Sequence, residues 1–311
     1  MHCLFGGNKK DTSLKYRKMI NNKIFSLLCE IGVCKEDRIE VVYPGVRESN
    51  DISVLRCQES GVIFLSQSEG IGIQHFQEKT QYCEFRGKTR REAKLAGYED
   101  CVKRSKSIES IVINKKYLDF GTGTANILEF LTPFAKETFG VEPQKDIRDE
   151  AIKEGHNVFA DIEDVPADDL EVVTLFHVLE HLDDPIGILK KIRDKMGDGG
   201  QIVIEVPHAN DFLLSFLDLE SFKKFTFRSD HLILHTRESL HKFLKIAGFR
   251  DIVIKGHQRF PLANHLYWLK HGKHGGHKEW SFLRSVQLDE AYSDLLKGID
   301  KTDTLIAFAM K

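Results

Sequence analysis

No stretch of this 311-residue chain approaches eighteen consecutive apolar residues, so no membrane span is expected. An excess of one charge is missing too: 45 lysines and arginines stand against 47 aspartates and glutamates, a net charge of −2. That balance argues against a nucleic-acid partner, which calls for a basic face. The local basic runs at 103–106 and 270–278 are of a size that usually marks a solvated surface. Cysteine is absent after residue 101, and the six present, at 3, 29, 34, 57, 83 and 101, lie in the first third. The opening, Met1 to Asp11, is polar and lacks the apolar core of an export signal, so a cytoplasmic protein with reduced thiols is expected. A hydrophobic share of 41% and a charged share of 30% are those of an ordinary globule. The length allows one α/β domain and an extra module.

What is present concentrates in Asp119-Phe120-Gly121-Thr122-Gly123-Thr124, where an apolar strand (Tyr117, Leu118) ends in an acid and two alternating glycines. Glycine permits close backbone approach to a ligand, and the helix expected next turns unpaired N–H groups toward the same point. A dinucleotide turn wants a sixth-position glycine, which here is Asn126, and an apolar residue where Asp119 stands. An acid ahead of Gly-x-Gly suits a ligand amino group instead. Phe139-Gly140-Val141 ends in Glu142, at the distance where a carboxylate reaches the hydroxyls of a ribose. Asn157 to Ala160 ends in Asp161, and Val172 to Phe176 runs into His177-Val178-Leu179-Glu180-His181-Leu182-Asp183-Asp184-Pro185.

In these pieces the chain resembles the class I S-adenosylmethionine-dependent methyltransferases, whose loop reads acid-x-Gly-x-Gly-x-Gly; the third glycine is Ala125 here. The last phrase resembles the LEHL-D-P signature of a branch that includes ubiquinone-pathway O-methyltransferases and the catalytic domains of deoxysugar C-methyltransferases. The resemblance implies a doubly wound seven-stranded sheet whose last strand is antiparallel, and S-adenosyl-L-methionine as cofactor. It implies cofactor contacts from Asp119, Gly121, Thr122, Gly123, Glu142, Asp161 (the adenine amino group), Phe176 and His177.

Strand and helix patterns alternate from 116 to 257 as such a sheet requires. Ile127, Leu128, Leu131 and Phe134 form one helical stripe; Asp184-Pro185 starts a helix that Gly197 stops; Thr236 caps another. The final strand is expected at Thr304 to Ala309. Residues 1–72 read as a small lobe, 73–110 as a helical lid or linker in which Phe76, Tyr82, Phe85 and Tyr98 either close the cofactor mouth or attach the lobe, and 111–311 as the methyltransferase domain. In the lobe, Cys29, Cys34 and Cys57 sit where related glycan methyltransferases carry a zinc module. Ser60 replaces the fourth ligand, so a degenerate module of buried thiols is expected rather than zinc. The stretch 258–303 is an insertion rich in aromatics and histidines, able to stack on a sugar or to pack on its own surface. Flanking glycines and lysines make His271, His274 and His277 a mobile loop rather than a metal site.

Ligands of open α/β sheets lie beyond the carboxyl ends of the strands, which brings His181 near the transferred methyl, and histidine is a residue type suited to act as a base at neutral pH. The segment Ser229 to Thr236 resembles one in the deoxysugar enzymes that supplies a histidine base, here His231; His208 stands behind these two. The expected activity is methyl transfer to a small polar acceptor, a nucleotide-linked sugar or surface-glycan precursor, with no metal. Two alternatives stand beside it. One is metal-assisted O-methylation through Glu180, His181 and His231, as in small-RNA 2′-O-methyltransferases, although the first acid of that pattern is His177. The other is a non-catalytic cofactor-binding partner.

Overall fold

Alternating β-branched and apolar runs separated by amphipathic helices have one stable arrangement, a sheet covered by helices. The computed structural model describes residues 22–68 and 89–311. Its larger sheet is built from β4 (Lys116–Phe120), β5 (Glu137–Val141), β6 (Val158–Phe159), β7 (Leu170–Phe176), β8 (Met196–Pro207), β10 (Arg250–His257) and β11 (Thr304–Met310), in the order β10-β11-β8-β7-β4-β5-β6. The strands from β6 to β8 run parallel, whereas β11 is antiparallel to both of its neighbours, β8 and β10. This is the class I methyltransferase arrangement expected from the sequence.

A smaller antiparallel sheet joins β1 (Ile39–Tyr43), β2 (Val54–Cys57) and β3 (Ile63–Leu65) to the two-residue β9 (Ile233–Leu234), which belongs to the other end of the chain. Helix α1 (Lys23–Glu30), capped by Asn22, buries Ile24 and Leu28 there. Cys34 and Cys57 are buried near one another, with half-buried Cys29 close by, and the Cys57 thiol donates to the Val33 carbonyl at 3.7 Å; burial pushes the Cys34 thiol up.

Among the described residues the remaining α-helices are α2 (Arg90–Val112), α3 (Asn126–Leu131), α4 (Lys145–Lys153), α5 (Pro185–Lys195), α6 (Glu220–Thr226), α7 (Arg237–Ile246), α8 (Leu262–His271), α9 (Gly276–Glu279) and α10 (Val286–Gly298). The caps read from sequence are present: Asp184 accepts from the Gly187 amide with Pro185 in the first turn, and Thr236 accepts from that of Ser239. Two expectations are corrected. Helix α3 stops at Leu131, and Phe134 lies beyond it, exposed, because the chain must already turn toward β5. The three histidines expected in a loop are mostly in helices: His271 ends α8 and His277 lies in α9, which leaves 272–275, with His274, between them; the insertion is held by Trp268, buried against Phe222, and by His265 bonded to Tyr292. Phe76, Tyr82 and Phe85 lie outside the described residues. Tyr98 packs edge-on against Phe130 at a separate cleft between α2 and α3. Among the described residues no helix is long and apolar enough to cross a membrane.

Candidate active site

The turn after β4 is shaped by two glycines with left-handed backbone. Gly121 has φ +79°, and a Cβ there would fall 2.4 Å from Cγ2 of Val178; Gly123 has φ +55°, with open space where its side chain would be. Ala125, at the third glycine position of the resembled pattern, also takes a positive φ, 59°, and caps α3. The turn is tied down from outside by Arg90, whose guanidinium donates to the Thr124 carbonyl at 2.8 Å and to Glu154 at 2.7 Å.

Behind the turn, Asp119 is buried and accepts from the Thr174 hydroxyl at 2.7 Å; burial pushes its carboxyl up to about 6. Glu142, at the end of β5, accepts the Gly123 amide at 2.9 Å on one oxygen and the Gln144 amide at 2.8 Å on the other. Burial outweighs those bonds and pushes it up to about 7. Asp161 caps a short 3-10 turn through the Glu163 amide.

A cleft of about 170 Å³ is lined by Gly121, Glu142, Gln144, Asp161, His177 and His181, together with Phe120, Val178 and Leu182. The open glycine turn, the paired acids and this cleft fit an amino-acid nucleoside such as S-adenosylmethionine. Of the residues expected at the cofactor, Gly121, Glu142, Asp161 and His177 line the cleft, and Asp119, Thr122 and Gly123 form its foundation. Phe176 does not join them. Successive strand residues point to opposite faces, and its ring lies under the Arg104 guanidinium, 5.0 Å away, in a groove between α2 and α10.

A second cavity, of about 440 Å³, opens on the other side of His177 and His181. His177 has a left-handed backbone (φ 56°), uncommon for a residue with a side chain and characteristic of functional turns. Its ring sits between two buried carboxylates, Glu180 at 3.0 Å and Glu205 at 2.9 Å. His181 Nδ1 donates to the Asp230 carbonyl at 2.5 Å, and its ring meets that of His231 edge-on at 4.9 Å. His231 lines only the larger cavity, and burial pushes its imidazole down to about 3. His208 also lines the larger cavity; its Nδ1 donates to the Thr302 carbonyl, and burial pushes it down to about 4.

The other walls come from α6 and the insertion: Phe222, Phe225, Trp268, His274 and His277, with Arg104, Asp211 and Asp303 among the polar groups. Arg104, Arg228, Arg259 and the two aspartates were not anticipated. Arg228, Arg259 and the aspartates are isolated charges that only the fold brings together, whereas Arg104 belongs to the basic run 103–106 and departs from the solvated surface expected there, since its side chain is largely buried and pairs with Glu205 at 2.5 Å. Gln144, two residues after Glu142, and Val178, inside the histidine phrase, had positional signals that could have been read.

A family model described as a methyltransferase domain matches residues 86–253, more than half of the chain. Among solved structures, the fold is similar to that of a SAM-dependent methyltransferase from Archaeoglobus fulgidus (20% identity, 73% of this chain and 96% of that one, TM-score 0.48). It is also similar to Haemonchus contortus phosphoethanolamine N-methyltransferase 2 in complex with S-adenosyl-L-methionine (15% identity, 78% of this chain and 60% of that one, TM-score 0.47). No curated protein matched by sequence.

Proposed function

The chain belongs to the class I S-adenosylmethionine-dependent methyltransferases, and from that premise we propose that His181 is the base that takes the acceptor's proton, with a small polar acceptor in the larger cavity. The acceptor class is a nucleotide-linked sugar or surface-glycan precursor. One observation carries the reading: His181, with His177, is a wall common to the cleft and the cavity. The bound cofactor supplies a methyl group that is already electrophilic, so the protein has to align the acceptor and remove a proton. The bond from Nδ1 to the Asp230 carbonyl puts the basic lone pair of His181 on Nε2. An imidazole pushed as low as that of His231 has little tendency to take a proton near neutral pH, so His231 is assigned to the wall beside the base. Phe222 and Phe225, backed by the buried Trp268, are the aromatic surface available to a sugar, and Asp211 and Asp303 offer acceptors to its hydroxyls.

The phrase from His177 to Pro185 supports membership of the LEHL-D-P branch. The same reading takes 1–72 as a small lobe, 73–110 as a linking element and 111–311 as the catalytic unit, and puts the enzyme in the cytoplasm, in glycan biosynthesis. The test compares variants on a panel of nucleotide-linked sugars. His181→Ala is expected to lose far more turnover, about 10²–10⁴-fold, the usual contribution of a general base, than affinity for S-adenosylhomocysteine, to which it contributes only a wall of the cleft; His231→Ala is expected to lose less turnover. Unchanged turnover in His181→Ala removes the base assignment, and an inert wild type on the whole panel removes the acceptor class.

A second reading has its own observation. Ligand atoms of Glu180, His181 and His231 all lie within 4.8 Å of one another. Glu180 Oε2 and His231 Nδ1 are buried without a hydrogen-bond partner. One carboxylate and two imidazoles suit a transition metal rather than Mg²⁺. Under this reading a chelator abolishes turnover and native mass spectrometry of the purified protein finds one bound ion; activity indifferent to chelator dismisses it.

A further inference from the structure

The turn at 228–231 carries the carbonyl that orients His181, and it is held from the far end of the sequence. His231 N–H donates to the Arg228 carbonyl at 3.3 Å, closing the turn, and Arg228 pairs with Asp230 at 2.6 Å within it. A second turn, closed by the bonds between Val46 and Ser49, lies against it. The Ser229 amide donates to Oε2 of Glu48 at 2.8 Å, and the Arg47 amide donates to the Phe227 carbonyl at 2.9 Å. Beyond the turn, β3 pairs with β9, and the Leu65 amide reaches the Leu232 carbonyl at 3.3 Å. On its other side the segment is bonded to the site, through Leu232 N–H to the Glu180 carbonyl at 2.8 Å and through the Asp230 carbonyl to His181.

We propose that Glu48, which touches neither cavity, is a positioning residue. By holding the Ser229 amide it aims the next residue's carbonyl at His181 Nδ1, and so selects the tautomer whose lone pair is on Nε2. The inference rests on the reading of His181 as base and goes beyond it, since it gives the N-terminal sheet a part in the reaction. A turn without this clamp has several orientations open to its peptide planes. One rotation of the 230–231 plane removes the acceptor from His181, and with it the reason for one nitrogen rather than the other to carry the proton.

Toward Ser229 the carboxylate acts as an acceptor through Oε2, while its Oε1 pairs with Arg47 at 3.0 Å, so Glu48→Gln removes the ion pair and keeps the acceptor, which makes the test specific. In ¹⁵N NMR of the imidazoles at a pH where they are neutral, wild type is expected to show His181 as the single Nδ1–H tautomer. Glu48→Ala is expected to show a mixture, with Ser229 amide exchange at least tenfold faster and S-adenosylhomocysteine affinity within twofold of wild type. Glu48→Gln keeps an acceptor oxygen and is expected to restore the wild-type spectrum. A single tautomer in Glu48→Ala overturns the proposal, and so does a mixture that Glu48→Gln fails to correct. Both spectra are read without an acceptor, so they stand apart from the turnover of His181→Ala. If that variant is fully active while Glu48→Ala shifts the tautomer, the clamp stands and the base assignment falls.

Discussion

Glu142 shows how burial and function meet at a single residue. Its carboxyl is pushed up to about 7 by burial in spite of two amide donors. The folded value is the raised one, so its contribution to stability is complete below the ordinary carboxylate range and is lost as pH climbs through about 7. A ribose adds two hydroxyl donors and favours the ionised form. Binding of S-adenosylhomocysteine is therefore expected to release about 0.9 proton at pH 6 and about 0.1 at pH 8, by linkage from a group at about 7. Calorimetry in buffers of different ionisation enthalpy reads this directly, and Glu142→Gln is expected to remove the part of the release centred near pH 7 and to leave that of Asp119, whose carboxyl is pushed up to about 6. The same contacts make Glu142→Ala weaken binding at least about tenfold, the worth of one hydrogen bond to a charged group; unchanged affinity would remove the ribose assignment. Residues of this kind were legible in the sequence because each acid stands at or near the end of an apolar strand. Arg104, Asp211 and Asp303 were not, since nothing local distinguishes them from surface charges.

Among elements, the glycine turn separates two kinds of constraint. Gly121 needs both its left-handed backbone and the absence of a side chain, because Val178 occupies the space; Gly123 needs only the backbone. Gly121→Ala is expected to cost more than about 2 kcal/mol, the left-handed penalty plus an overlap that must be relieved. Gly123→Ala is expected to cost about 1–2 kcal/mol, the penalty alone. Thermal melts of the two variants check the order, and equal losses would mean that Val178 moves aside freely. Caps and strands of the central region were readable because Asp184-Pro185, Thr236 and the apolar runs act through neighbours in sequence. The helices that carry His271 and His277 were not legible, because the glycines and lysines around them signal a loop locally while the packing of Trp268 and His265 depends on residues far away.

For the molecule as a whole, the core is continuous across the two sheets: Ile24, Leu28 and Phe64 belong to one buried cluster with Leu118, Ile204, Phe243 and Leu305. The small lobe is therefore expected to unfold with the methyltransferase sheet in a single calorimetric transition. Phe64→Ala, at a fully buried position, is expected to lower the stability of both by about 3–5 kcal/mol. Two resolved transitions, only one of them shifted, would instead make the lobe autonomous. The fold class was visible in the sequence; the union of β3 with β9 was not, because a two-residue strand has no periodicity to detect.

The place of β11 bears on how such a chain reaches this state. It lies between β8 and β10, both of which precede it in sequence, so during synthesis each presents a naked edge until the strand that fills the gap has emerged. Unfilled edges invite pairing with another chain. The newborn enzyme is thus most prone to aggregate in the interval after His257, while the insertion is still being translated, and shielding by a chaperone matters most there.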